Sequence, residues 1–324
     1  MQTCPKSLSM EPKSQHAALA GLLIFAFLIR VFPLLRSQGL VSLKVFLACF
    51  GAIFVGLATI LLVYRIALRI NGSPEASLFC AALAAVIPLY SWRLTSDALV
   101  SAVATLLFFL ILYLFISFKE VKGWQALLAL PVFYAVIHPS AWILAPIFLI
   151  YIILLKLEHK ELSLSEKYFI PVAATIVLLI CILVSVPSSI SQVIHSAFLH
   201  ILGISYTVAQ AENFTLTEAL SLVGALPVLF GMVGAWCTVK QARKAGLLLL
   251  SVVAATFILS LIAARIYGYI FFGVGLSCLA GCCYLGIKGR IRSSRLARFE
   301  HVISYLLFLL VLASGILHWG LIAT

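Results

Sequence analysis

Acidic side chains are scarce in this chain of 324 residues: Asp and Glu together number 10, and Asp97 is the one aspartate. Charged residues of both signs make up 10% of the sequence, where a soluble domain carries about 25%. So few charges cannot cover a water-soluble surface, which excludes a soluble enzyme and a charged disordered chain. The eight cysteines contain no C-x-x-C pair and fall almost entirely within apolar runs. That excludes a secreted disulfide scaffold and a zinc-ribbon pattern, and leaves the cysteines as small packing residues. Internal repeats and low-complexity tracts are also missing.

What fills the sequence instead is apolar, at 64%. Runs of about 15–22 such residues read as membrane segments. Eleven are predicted, at 17–35, 45–64, 75–90, 97–118, 124–137, 141–155, 168–186, 219–239, 246–264, 268–287 and 302–320. The fifth and sixth are short, and only His138, Pro139 and Ser140 separate them, so they read as one broken helix or two half-penetrating ones. The expected fold is therefore all-α, a polytopic membrane helical bundle of about eleven segments. It is organised as a short cytoplasmic tail (1–16) and a single transmembrane domain (17–324), with an outer loop at 187–218 and an inner basic loop at 288–298.

The net charge is +12. In a membrane protein this excess first marks loops facing an anionic leaflet, and no nucleic-acid partner is expected. With the N-terminus cytoplasmic, 17 of the 22 Lys and Arg residues fall on the inner side, which sets the expected orientation. No small-x-small cleavage site follows the first apolar run, so it reads as a retained span. The membrane is the plasma membrane in a prokaryote and the endoplasmic reticulum in a eukaryote. An Asn213-Phe214-Thr215 acceptor triplet on the outer loop agrees with this topology.

Five cations break the inside bias: Arg30, Arg36, Lys44, Arg93 and Arg265, all at the outer face. Ionisable groups at membrane depth face a cavity or a partner, and outer arginines suit a phosphate held by bidentate contacts. Asp97 stands close to Arg93 in Trp92-Arg93-Leu94-Thr95-Ser96-Asp97. It reads as a helix-end residue, as the partner of Arg93, or as a catalytic or metal-binding carboxylate. Glu212 and Glu218 are the other outer acids, and His138 sits at the break, where irregular backbone lines a cavity. Asp97, Glu212, His138 and the cations together would make a divalent-metal-competent site with phosphate clamps.

These residues carry a resemblance to the GT-C membrane glycosyltransferases. Val45 to Leu114 resembles their second to fourth spans, with Tyr64-Arg65-Ile66-Ala67-Leu68-Arg69, then Asn71-Gly72, an apolar span to Pro88, and the turn bearing Arg93 and Asp97. Ala264-Arg265-Ile266-Tyr267-Gly268-Tyr269 is similar to the stretch whose late arginine contacts the lipid phosphate. Within the superfamily the chain is most similar to oligosaccharyltransferase catalytic subunits of archaeal type. Tyr206-Thr207-Val208-Ala209-Gln210-Ala211-Glu212 is similar to their outer-loop Thr-x-x-Glu motif.

The resemblance implies transfer of sugar from a polyprenyl-phosphate or pyrophosphate carrier. It places Arg93, Arg265, Tyr267, Arg36 and Lys44 on the carrier phosphate, Thr207 and Gln210 in the acceptor loop, and Asp97, Glu212 and His138 in catalysis. Mg2+ or Mn2+ at Asp97 and other glycosylation subunits as partners also follow. The chain departs from the family in its short first outer link, Arg36 to Lys44, which has no acid, in Gln210 at the Thr-x-x-Glu position, and in lacking a Trp-Trp-Asp soluble domain. Two alternatives stay open: a non-catalytic lipid-binding or scaffold subunit, and a transporter or flippase.

Overall fold

The computed structural model describes residues 12–36, 43–87, 98–117, 128–185, 223–241, 243–263 and 266–323. Among them are eleven α-helices and no strand. In chain order they are α1 (Pro12–Arg36), α2 (Leu43–Asn71), α3 (Pro74–Val86), α4 (Ala98–Ile116), α5 (Ala129–Ile137), α6 (Leu144–Leu157), α7 (Leu164–Ser185), α8 (Ala225–Gln241), α9 (Lys244–Ala263), α10 (Ile266–Arg292) and α11 (Glu300–Ala323). Each matches one of the eleven expected segments. Among the described residues six stretches are long and apolar enough to cross a membrane, including Ser140–Leu157 and Tyr269–Arg292. The nine residues of α5 rise only about 14 Å, too little to cross alone.

Local chemistry sets the helix ends. Gly72 adopts φ +65°, the left-handed turn that closes α2, and donates its N–H to Leu68 O at 2.9 Å. Ser73 then caps α3 by accepting from Ala76 N, with Pro74 at the first helical position. Ser163 and Glu166 form a reciprocal cap at the start of α7: Ser163 N donates to Glu166 Oε2 at 2.6 Å, and Glu166 N donates to Ser163 Oγ at 3.3 Å.

Helix α3 is apolar all round and buried from Ala76 to Val86. A helix of that kind belongs in the middle of a bundle. It packs against α1, α2, α8, α10 and α11. The other central element is α10, buried from Phe271 to Tyr284 apart from no more than a few per cent of its surface. By contrast α1, α8 and α11 present large apolar side chains outward, among them Leu28, Leu229, Trp236, Leu309 and Leu317. In water each exposed leucine would forgo about 1.5–3 kcal/mol of burial, whereas lipid tails solvate them.

Close approach of α8 and α10 depends on glycine. A Cβ at Gly234 would stand 2.1 Å from Leu279 O, and one at Gly231 would stand 2.5 Å from Leu276 Cβ. Backbone lies against backbone here, the small-residue packing that holds membrane helices together without a hydrophobic driving force. Polar clusters tie the helices at the end where α2 finishes, which is called the Lys288 end below. Lys288 pairs with Glu75 and, at 3.2 Å, with Glu300, while Arg292 Nε donates to Glu300 at 2.7 Å. Arg243 donates to Ile70 O at 2.9 Å, closing the last turn of α2.

Replacing Gly234 by valine should force α8 off α10. The expected destabilisation exceeds the roughly 1–3 kcal/mol usual for overpacking, because the obstacle is backbone. Thermal unfolding in detergent reads this directly, and an unchanged melting temperature would contradict the packing.

Candidate functional site

The opposite end of the bundle, where α1 finishes, is defined by Arg30. This side chain is 1% exposed, and its Nη2 donates to Ala85 O at 3.3 Å. Ala85 lies in the last turn of α3, whose final carbonyls have no partner within the helix. A cation at that position also meets the negative end of the helix dipole. Arg30 is thus built into the end of the central helix.

Two of the segments bearing other expected site residues have a described end near that helix end. Ile87 precedes 88–97, Val223 follows 186–222, and Ile266 follows 264–265. A Cβ at Gly273, two turns into α10, would lie 3.0 Å from Val223 Cγ1 and 3.5 Å from Ile87 Cδ1. The described ends of two of these segments, Ile87 and Val223, therefore both stand beside Gly273. Arg93, Asp97, Thr207, Gln210, Glu212 and Arg265 lie outside the described residues. Arg36 is the last residue of α1, Lys44 the second of α2 and Tyr267 the second of α10, and the structure describes the backbone at each.

His138 is described in full. It is 1% exposed and stands between α5 and a 3-10 turn, Pro139–Ile143, with extended backbone (φ −142°, ψ 129°). Proline after it disfavours helical backbone, so the break is local in origin. The imidazole spans the break. Its Nδ1 accepts from Ser140 N at 3.1 Å and lies 2.6 Å from Ser140 Oγ, which in turn lies 2.8 Å from Tyr134 OH.

A backbone N–H only donates, so Nδ1 is the acceptor and a neutral His138 carries its proton on Nε2. The Ser140 hydroxyl then donates to Nδ1 and accepts from Tyr134. This chain of bonds occupies the serine and caps the 3-10 turn, so it fixes the shape of the break and does not prime a nucleophile. Tyr134 and Ser140 were not among the expected residues. Ser140 could have been found as the residue directly after the His-Pro step, whereas Tyr134, four residues before His138, carried no such signal.

The break connects to the Arg30 end through aromatic rings. Tyr134 packs toward Phe108 of α4, and Phe108 stacks on Phe271 of α10 at 4.4 Å between centroids. Phe271 lies two residues before Gly273. Among the described residues no group of three His, Cys, Asp or Glu could hold a metal ion.

No known protein family and no curated protein sequence matches the chain. In structure it is similar to the archaeal oligosaccharyltransferase AglB from Archaeoglobus fulgidus, solved in complex with an inhibitory peptide and a dolichol-phosphate. The TM-score is 0.54 at 15% sequence identity over 87% of this chain. This chain spans 45% of that one, less than half its length. At such identity the likeness is one of fold alone: the helices are arranged as in the matched part of that enzyme.

Ser140→Ala should remove the hydroxyl shared by Tyr134 and His138, leaving buried polar groups unsatisfied. The expected cost is about 1–3 kcal/mol in detergent unfolding, with Ser140→Thr retaining most of the wild-type stability. Equal stability of the alanine variant would contradict the network.

Proposed function

We propose that this chain is a membrane glycosyltransferase that moves a sugar from a polyprenyl-phosphate or pyrophosphate carrier to an acceptor at the Arg30 end of the bundle. The observation that carries this reading is the packing of Ile87 and Val223 around Gly273 in a GT-C-like fold. The same fold holds a dolichol-phosphate in the archaeal enzyme. Ile87 and Val223 are the described ends of the segments that carry Arg93, Asp97 and Glu212, which supports the reading.

In this reading Arg93 and Arg265 hold the carrier phosphate by bidentate contacts, with Arg36, Lys44 and Tyr267 beside it. Phosphate bound by guanidinium groups leaves more readily, because the charge that develops on it is already met. Asp97, helped by Glu212, orients the acceptor hydroxyl and takes its proton as the bond to the sugar forms. Thr207 and Gln210 hold the acceptor. His138 shapes the break between α5 and α6. Mg2+ or Mn2+ at Asp97 would add Lewis-acid polarisation. The described residues supply no cluster for such an ion, and the steps given to Asp97 and the arginines do not depend on it.

A second reading is favoured by one observation: the α1–α2 link, 37–42, has no acidic residue. A subunit that binds the carrier lipid for a partner glycosyltransferase would need the phosphate clamps and not the acids.

Asp97→Asn in membranes supplied with donor lipid should lower transfer by at least about a hundredfold, the lower end of general-base contributions. Arg265→Ala should weaken donor binding. Undiminished transfer by Asp97→Asn overturns the mechanism. Donor binding without transfer by the wild-type chain favours the carrier subunit.

A further inference from the structure

A cavity of about 350 Å³ lies at the other end of the molecule, between α1 and α11, and is floored by α3 and α10. That volume is at the lower end of those that hold small ligands. Its α1 wall is Ala18, Gly21, Leu22 and Phe25, one helical stripe at spacings of three and four. The α11 wall is a matching stripe running from His301 through Ser304 to Phe308 and Leu312. The α1 stripe is apolar throughout, while the α11 stripe runs from apolar groups toward the middle of the bundle to His301 and Ser304 toward the Lys288 end. At that polar end Glu75 of α3 and Tyr284 of α10 complete the floor.

The charges at the polar end are balanced. Lys288 faces the carboxylates of Glu75 and Glu300, and Arg292 also pairs with Glu300. Two cations and two carboxylates balance in this cluster, which leaves no formal surplus for a purely anionic head, and of the four only Glu75 lines the cavity. The carboxylate of Glu75 lines the wall itself and, besides its pairing with Lys288, suits contact with an ammonium group. His301 and Ser304 stand on the α11 wall and suit phosphate oxygens. The paired demand for an ammonium, a phosphate and an apolar chain is met by one class of molecule.

We propose that the cleft between α1 and α11 binds one ethanolamine phospholipid. Its acyl chain lies along Leu22, Phe25, Phe308 and Leu312, its ammonium meets Glu75, and its phosphate meets Ser304 and His301. The site is separate from the carrier site at the Arg30 end and does not rest on the glycosyltransferase reading. The bound lipid joins α1 to α11 across a gap that few direct contacts bridge.

The test uses the full chain in nanodiscs of equal phosphatidylethanolamine and phosphatidylglycerol, followed by detergent extraction and native mass spectrometry. The wild type is expected to retain one phosphatidylethanolamine in clear preference to phosphatidylglycerol. Gly21→Trp should fill the cleft and lower that retention about tenfold. Its melting temperature should hold, because a Cβ at Gly21 meets nothing within 4 Å. Glu75→Gln should retain lipid and lose the headgroup preference. Equal retention of the two lipids by the wild type, preference for phosphatidylglycerol, or unchanged retention by a folded Gly21→Trp would each overturn the proposal.

Discussion

Lipid offers no hydrogen bonds, so every backbone carbonyl inside the bundle must find a partner in the protein. The constraint is sharpest at the end of α3. This helix is only thirteen residues long, is buried from Ala76 to Val86, and ends inside the structure. Arg30 meets that need by donating to Ala85 O. Its charge would be expensive at such depth, yet the carbonyl end of a helix is where a buried cation costs least. The rest of the Arg30 end follows from this contact. The chain can leave α3 at Ile87 because the helix below it is closed, and Ile87 then packs with Val223 over Gly273.

Glycine and ion pairs divide the remaining work between the two ends. Along α8 and α10, Gly231 and Gly234 let backbones touch, which fixes where Val223 emerges relative to α10. At the Lys288 end, Glu75, Lys288, Glu300 and Arg292 link α3, α10 and α11 through charges that are mostly shielded from solvent. One end is held by fixed polar contacts. The other presents the roots of its longest connecting segments around a small, glycine-lined patch, a suitable base for substrate-binding loops on a rigid frame.

The eleven helices were legible in the sequence because lipid solvation demands long apolar runs, and these stand out against 10% charged residues. Their ends were less so. Helix α2 runs to Asn71 and α10 to Arg292, past the apolar stretches, because backbone hydrogen bonding continues through Arg65, Arg69 and Lys288 where hydropathy falls. The break at His138 was legible from His-Pro-Ser, whereas its closure by Tyr134 was not, since nothing in a sequence shows which hydroxyl turns inward. The Lys288 cluster was hidden for a different reason. Glu75 and Lys288 are 213 residues apart, and only the packing of α3 on α10 joins them. Arg30 was visible as a cation on the wrong side of the charge rule, but its carbonyl partner was not.

The central claim is that the segments bearing Asp97 and Arg265 share one site above Gly273. Paired cysteines in a cysteine-depleted background test it most directly. Oxidative cross-linking of Ile87→Cys with Val223→Cys serves as the reference pair, because both residues pack on Gly273. The account predicts that Asp97→Cys and Arg265→Cys, bridged by a short bifunctional thiol reagent, cross-link about as efficiently as the reference. It also predicts that added polyprenyl phosphate protects them. A reference pair that cross-links while the Asp97 and Arg265 pair does not, with or without the lipid, would contradict it.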